Sequence, residues 1–66
     1  MPPKKLGMTL KTLRKKRGMT QAELAEKADV HRIYIAQIEA QTKTPSLAAL
    51  ERIAKALKVK VARLLE

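Results

Sequence analysis

Residues 20–39 read TQAELAEKADVHRIYIAQIE, and the two apolar periodicities in this stretch, interrupted at Ala28-Asp29-Val30, decide the fold. Ala22, Leu24, Ala25 and Ala28 before the break, and Val30, Ile35 and Ile38 after it, predict two short helices joined by a tight turn. Each helix offers one narrow buried stripe, so the pair must be cradled by flanking helices. At about 100° per residue, with Ile35 at zero, Arg32, Ala36, Ala40, Ile33 and Gln37 fall at about 60°, 100°, 140°, 160° and 200°, on a single outward face. A bidentate donor, a carboxamide and small apolar groups on one face are the inventory that reads base edges in a DNA major groove.

Composition narrows the function classes. A chain of 66 residues makes one small domain whose core is only just sufficient. It has no cysteine and a single histidine, His31, so neither a disulfide framework nor a thiolate or histidine metal cluster is expected, and no cofactor. The longest apolar runs, IYIA and LAAL, span four residues, and the start MPPKKLG has no signal-peptide core, so a soluble cytoplasmic protein is expected. Tyr34 is the one aromatic residue, too few for the stacking platforms that hold single strands and RNA loops. Catalysis is not expected: the acids are scattered, no glycine-rich phosphate loop exists, and His31 has no nucleophile partner.

The formal charge of +9 is unevenly placed. Residues 1–18 carry seven basic and no acidic side chains, residues 19–41 carry a net −2, and residues 42–66 a net +4. The helix that would read bases is therefore not the basic one, which suits a division in which flanking segments grip phosphates and the central helix reads sequence. A merely solvated basic surface is the alternative.

Outward from the central pair, residues 1–5 are expected to form a mobile basic arm. Leu6, Leu10 and Leu13 predict a first helix over about 7–17 that stops at Gly18. Thr20 with Glu23 three residues on is a capping box, which puts Gln21 in the first turn of the next helix, where free N–H groups suit a phosphate. Asp29 needs positive φ in the turn, and His31 stands where an N-cap belongs. Ser46 caps a fourth helix with the stripe Leu47, Leu50, Ile53, Ala54 and Leu57, and a short last helix presents Val61, Leu64 and Leu65.

These residues carry a resemblance. TQAELA, Ile35 and Ile38 followed by Glu39, and PSLxxLxxIAxAL resemble the Cro and phage-repressor helix-turn-helix family, often called XRE-type regulators, from Leu6 to Leu65. The resemblance implies an all-α, five-helix domain of the lambda-repressor type whose third helix, about 31–40, enters the major groove. By position it assigns base reading to Arg32, Ile33 and Gln37, phosphate contacts to Gln21 and Lys43, and places His31 and Tyr34 near the DNA backbone or the edge of the core. Asp29, Gln41 and Lys58 stand where such domains commonly have glycine, at about 1 kcal/mol each if positive φ is kept. An Arg14–Glu39 ion pair between the first and third helices is expected as a scaffold, since both residues interrupt apolar stripes.

The expected function is sequence-specific binding of duplex DNA by a bacterial or phage transcriptional regulator acting as a homodimer through Val61 and Leu65. The rival is an antitoxin or other protein-interaction module on the same fold, with a toxin or similar partner meeting Ile33 and the last helix. A membrane binder is disfavoured, because the apolar stripes are narrow and needed for one core.

Overall fold

Five helices form close to where the periodicities place them: α1 Leu6–Lys16, α2 Gln21–Ala28, α3 Arg32–Glu39, α4 Leu47–Leu57 and α5 Val61–Leu65. The computed structural model describes residues 5–66, so the expected arm, apart from Lys5, lies outside the described residues. No strand occurs among them. α2 packs against α3 and α4, α1 against α3 and α5, and α5 also against α4.

Local sequence sets the helix starts. Thr20 Oγ1 accepts from the Glu23 N–H at 3.1 Å while Glu23 Oε1 accepts from the Thr20 N–H at 2.8 Å, closing the capping box. His31 Nδ1 accepts from the Ile33 N–H at 3.1 Å, and Ser46 Oγ from the Ala49 N–H at 3.1 Å. The helix ends share one solution. Gly18, Asp29, Gln41 and Lys58 adopt φ of 70°, 57°, 62° and 59°. In each case the following residue's N–H reaches back five positions, as from Val30 to the Ala25 carbonyl or Val59 to that of Ala54, the bonding of a Schellman turn. The three non-glycine residues adopt the left-handed conformation expected of them.

The core is a single cluster in which Leu10, Leu24, Ile35, Ile38, Ile53, Leu57 and Leu64 are essentially inaccessible. Two expectations of the apolar pattern fail. Leu47 is 66 % exposed, and Ala49 is buried in its turn of α4 instead. As the first helical residue, Leu47 directs its side chain back over the helix start, beyond the core, where Pro45 is already buried. Ala22 likewise faces solvent.

Three tertiary contacts lock the helices together. Arg14 Nε and Nη2 donate to Glu39 Oε2 and Oε1 at 2.7 and 3.0 Å, with the two side chains only 9 % and 4 % exposed. Arg14 Nη1 also donates to the Met19 carbonyl at 2.8 Å, so the guanidinium ties α1 both to the loop before α2 and to the end of α3. Its hydrogen bond to Glu39 raises the Arg14 pKa still further above its ordinary value. Second, Arg17 Nε donates to the Leu57 carbonyl at 3.0 Å, satisfying an end group of α4 from the end of α1. Third, the Gly7 N–H donates to the Gln41 carboxamide oxygen, and the α1 backbone approaches α3 so closely that a methyl group on Gly7 would lie 2.6 Å from the carbonyl oxygens of both Ile38 and Glu39.

Glu39→Ala should cost about 3 kcal/mol, because it strands a buried guanidinium, whereas the double change Arg14→Met, Glu39→Leu should cost less than the single one. Urea unfolding decides this. Gly7→Ala should cost about 1–3 kcal/mol in the same assay through overpacking against fixed backbone.

The Thr20 N–H, and then the Thr20 hydroxyl, hold the Glu23 carboxyl below the usual glutamate range. Because the folded pKa is the lower one, this capping contribution is complete above the unfolded pKa and is lost as pH falls through the folded value. A carboxyl-detected NMR titration should give Glu23 a midpoint below that of an exposed glutamate, and Thr20→Ala, which removes the hydroxyl but keeps the residue 20 N–H, should raise it only part of the way.

Candidate nucleic-acid interface

The His31 cap and the buried pair Ile35 and Ile38 fix the rotation of α3, and thereby which side chains it turns outward. Arg32, Ile33 and Gln37 are all exposed, Ile33 to 55 %, and Ala36 between them is half-buried. The side chains of Arg32 and Gln37 make no hydrogen bond among the described residues. Their donors and acceptors are thus presented to an outside partner, while the backbone beneath them is held rigidly. With His31 Nδ1 accepting the Ile33 N–H, the neutral imidazole carries its proton on Nε2, a donor directed away from the helix start.

Gln21 and Lys43 flank this face. Gln21 Nε2 donates to Glu39 Oε1 at 3.1 Å, the oxygen that also accepts from Arg14 Nη2. The carboxamide at the first turn of α2 is therefore held against the end of α3 by the buried ion pair, and keeps one N–H free for an anion. On the α3–α4 loop, Lys43 Nζ sits 5.7 Å from the centroid of the Tyr34 ring, within cation–π range. Tyr34 is half-buried against the core, and its hydroxyl oxygen accepts from the Ser46 N–H at 3.1 Å. Tyr34 thus stands at the core edge, where it helps fix the loop that carries Lys43.

Thr42 is a residue that the sequence pattern did not single out. Its hydroxyl donates to the Gln37 carbonyl at 3.2 Å and its N–H to the same oxygen at 2.9 Å, closing α3 directly below a base-reading candidate. A hydroxyl after a helix end is a signal that could have found it. Gln41 was marked only as a non-glycine with positive φ. Its side chain, reaching back to Gly7, had no local signature.

Among the described residues no three His, Cys, Asp or Glu side chains gather as a metal site, and no helix is long and apolar enough to cross a membrane. At the other end of the molecule, Leu64 is fully buried, Val61 half-buried and Leu65 43 % exposed.

Comparison with known proteins bears on this geometry. A family model described as helix-turn-helix matches residues 10–64. The immunity repressor protein of Bacillus phage phi105 is 46 % identical over 56 residues, covering 85 % of this chain and 39 % of the repressor. The chain spans less than two thirds of the length of each of the curated relatives it matches. Among solved structures, the master regulator for biofilm formation SinR, in complex with DNA, superposes with a TM-score of 0.89 at 39 % identity, over 92 % of this chain and 98 % of that one. The restriction-modification controller protein C.AhdI from Aeromonas hydrophila gives 0.89 at 30 % identity, over 91 % of each chain. Matched along 55 of its 66 residues, the chain belongs to the helix-turn-helix family.

Proposed function

We propose that this chain is a sequence-specific, duplex-DNA-binding transcriptional regulator that reads an operator major groove with α3. The observation that carries the reading is the exposed, unbonded Arg32, Ile33 and Gln37 face on a helix whose rotation is fixed by its cap and core. In this reading Arg32 pairs with a guanine edge, Gln37 with adenine, and Ile33 meets a thymine methyl. Gln21, His31 and Lys43 hold phosphates, with Tyr34 near the DNA backbone beside Lys43. The reading assigns the chain no catalysis and places it in the cytoplasm of a bacterium, on a host or phage genome.

A second reading, an antitoxin or other protein-interaction module, is favoured by one observation, the 55 % exposure of Ile33 in the middle of the same face. Selection from a random duplex library separates the two. DNA reading yields an enriched motif, and a pure protein module yields none.

Arg32→Ala and Gln37→Ala should each cost about 1–3 kcal/mol on the selected site and far less on random duplex. Lys43→Ala should weaken both equally. If about 6 phosphates are neutralised per dimer, log K should fall with log salt at a slope of roughly −5. Equal losses on both duplexes for Arg32→Ala and Gln37→Ala would remove the base-reading assignment.

Two half-sites about one helical turn apart require two copies. We assign the dimer contact to Val61 and Leu65, since Leu64 is spent on the core. Equilibrium sedimentation at tens of micromolar should show a dimer that Leu65→Glu dissociates, with the thermal midpoint of the monomer unchanged.

A further inference from the structure

A cationic trough runs between the C-terminal ends of α2 and α4, and no residue of α3 itself lines it. It encloses about 420 Å³, with Lys27, Arg52, Lys55 and Lys58 on its rims and Ala28 and Ala56 in its lining. A neighbouring hollow shares Lys27, Ala56 and Lys58 and adds Arg17 and Met19, so the trough continues to the end of α1. Asp29 is the one acid lining it. Among the described residues no carboxylate lies within ion-pairing distance of any of these cations, and Lys27 meets Glu23 only through space.

Helix dipoles explain part of this. Lys27 and Lys55 lie in the last turns of their helices, where positive charge is favourable. They do not explain Arg52 in the middle of α4, nor the concave shape. We propose that the trough is a docking site for an extended acidic peptide segment of a partner protein.

Three features favour that occupant. Small side chains in the lining leave room for a polypeptide backbone between the charged rims. Arg52, Lys55 and Lys58 recur at three-residue steps toward the end of α4, so one acidic segment lying in the trough meets several cations at once. A hollow of about 420 Å³ is of a size that takes a few residues of one chain and not a duplex. Single strands need aromatic platforms, and the lining contains none. The site lies at the opposite end of α2 from Gln21, and its Asp29 and Arg52 also line a neighbouring hollow that reaches His31 and Tyr34. This proposal does not depend on the DNA reading.

The test uses the whole chain without duplex, titrated with the acetylated and amidated peptide Glu-Ala-Glu-Ala-Glu and followed by amide NMR shifts. Shifts should concentrate at residues 27–29 and 52–58. The triple variant Lys27→Gln, Lys55→Gln, Lys58→Gln should bind about tenfold more weakly, while Lys11→Gln, Lys15→Gln, Lys16→Gln, which removes the same charge from exposed α1 positions, should lose far less. Equal losses in the two variants, or shifts centred on α1 or α3, would overturn the site. A single-stranded oligonucleotide of matched charge that occupies the trough more tightly than the peptide would overturn the occupant.

Discussion

The buried Arg14–Glu39 pair is the constraint on which the arrangement of the first three helices depends. Two charges removed from water carry a desolvation penalty of several kcal/mol each, offset only when geometry is good and the remaining donors are satisfied. Both conditions hold: the contact is bidentate, the third guanidinium nitrogen is used by the Met19 carbonyl, and Glu39 Oε1 accepts a further bond from Gln21. Because the guanidinium fork is planar and its donors point in fixed directions, α1, the start of α2 and the end of α3 can satisfy it together in one relative placement. An apolar pair of similar volume would allow several. The pair thus fixes where Gln21 stands relative to the outward face of α3, a spacing that any phosphate-and-base reader must hold constant.

The helix ends show how a small domain distributes strain. Four Schellman turns close α1 to α4, and only the first is built on glycine. Each of the others holds a side chain in the left-handed region, at about 1 kcal/mol, in a protein whose size leaves little surplus stability. Compensation lies in what those residues do elsewhere. Gln41 extends to the Gly7 N–H, and Lys58 contributes a cation to the trough. Asp29 has less cause for strain, since short polar side chains tolerate that conformation best.

Much of this was legible because the signals are local. The capping box at Thr20 and Glu23, the His31 and Ser46 caps and the rotation of α3 follow from residues within one or two turns of each other. The Arg14–Glu39 pair, 25 positions apart, was legible from the positions that the family resemblance gives these residues, together with the apolar stripes that both charges interrupt. Arg17 gave no such signal: one more cation in a basic run, it finds the Leu57 carbonyl 40 positions away only because α1 and α4 end side by side. Gly7 carries no local signal either, since its requirement for glycine comes from the close approach of α3. Leu47 misled for a different reason. Periodicity assigns a face, but the first residue of a helix can overhang the core that the same face meets one turn later.

The approach of α1 to α3 makes the two termini of the domain unequal as points of attachment. Polypeptide entering at Lys5 joins the domain at the start of α1, within a turn of the contact between Gly7 and the last carbonyls of α3. Chain leaving at Glu66 departs from α5, which packs on α1 and α4. A folded fusion partner at the amino end is therefore tethered beside α3, where it crowds whatever that helix approaches. The same partner at the carboxyl end sits next to Leu65 and would interfere instead with the proposed pairing of two copies. A reporter joined at either end perturbs a different step, so the two fusions form a matched pair for separating recognition from assembly.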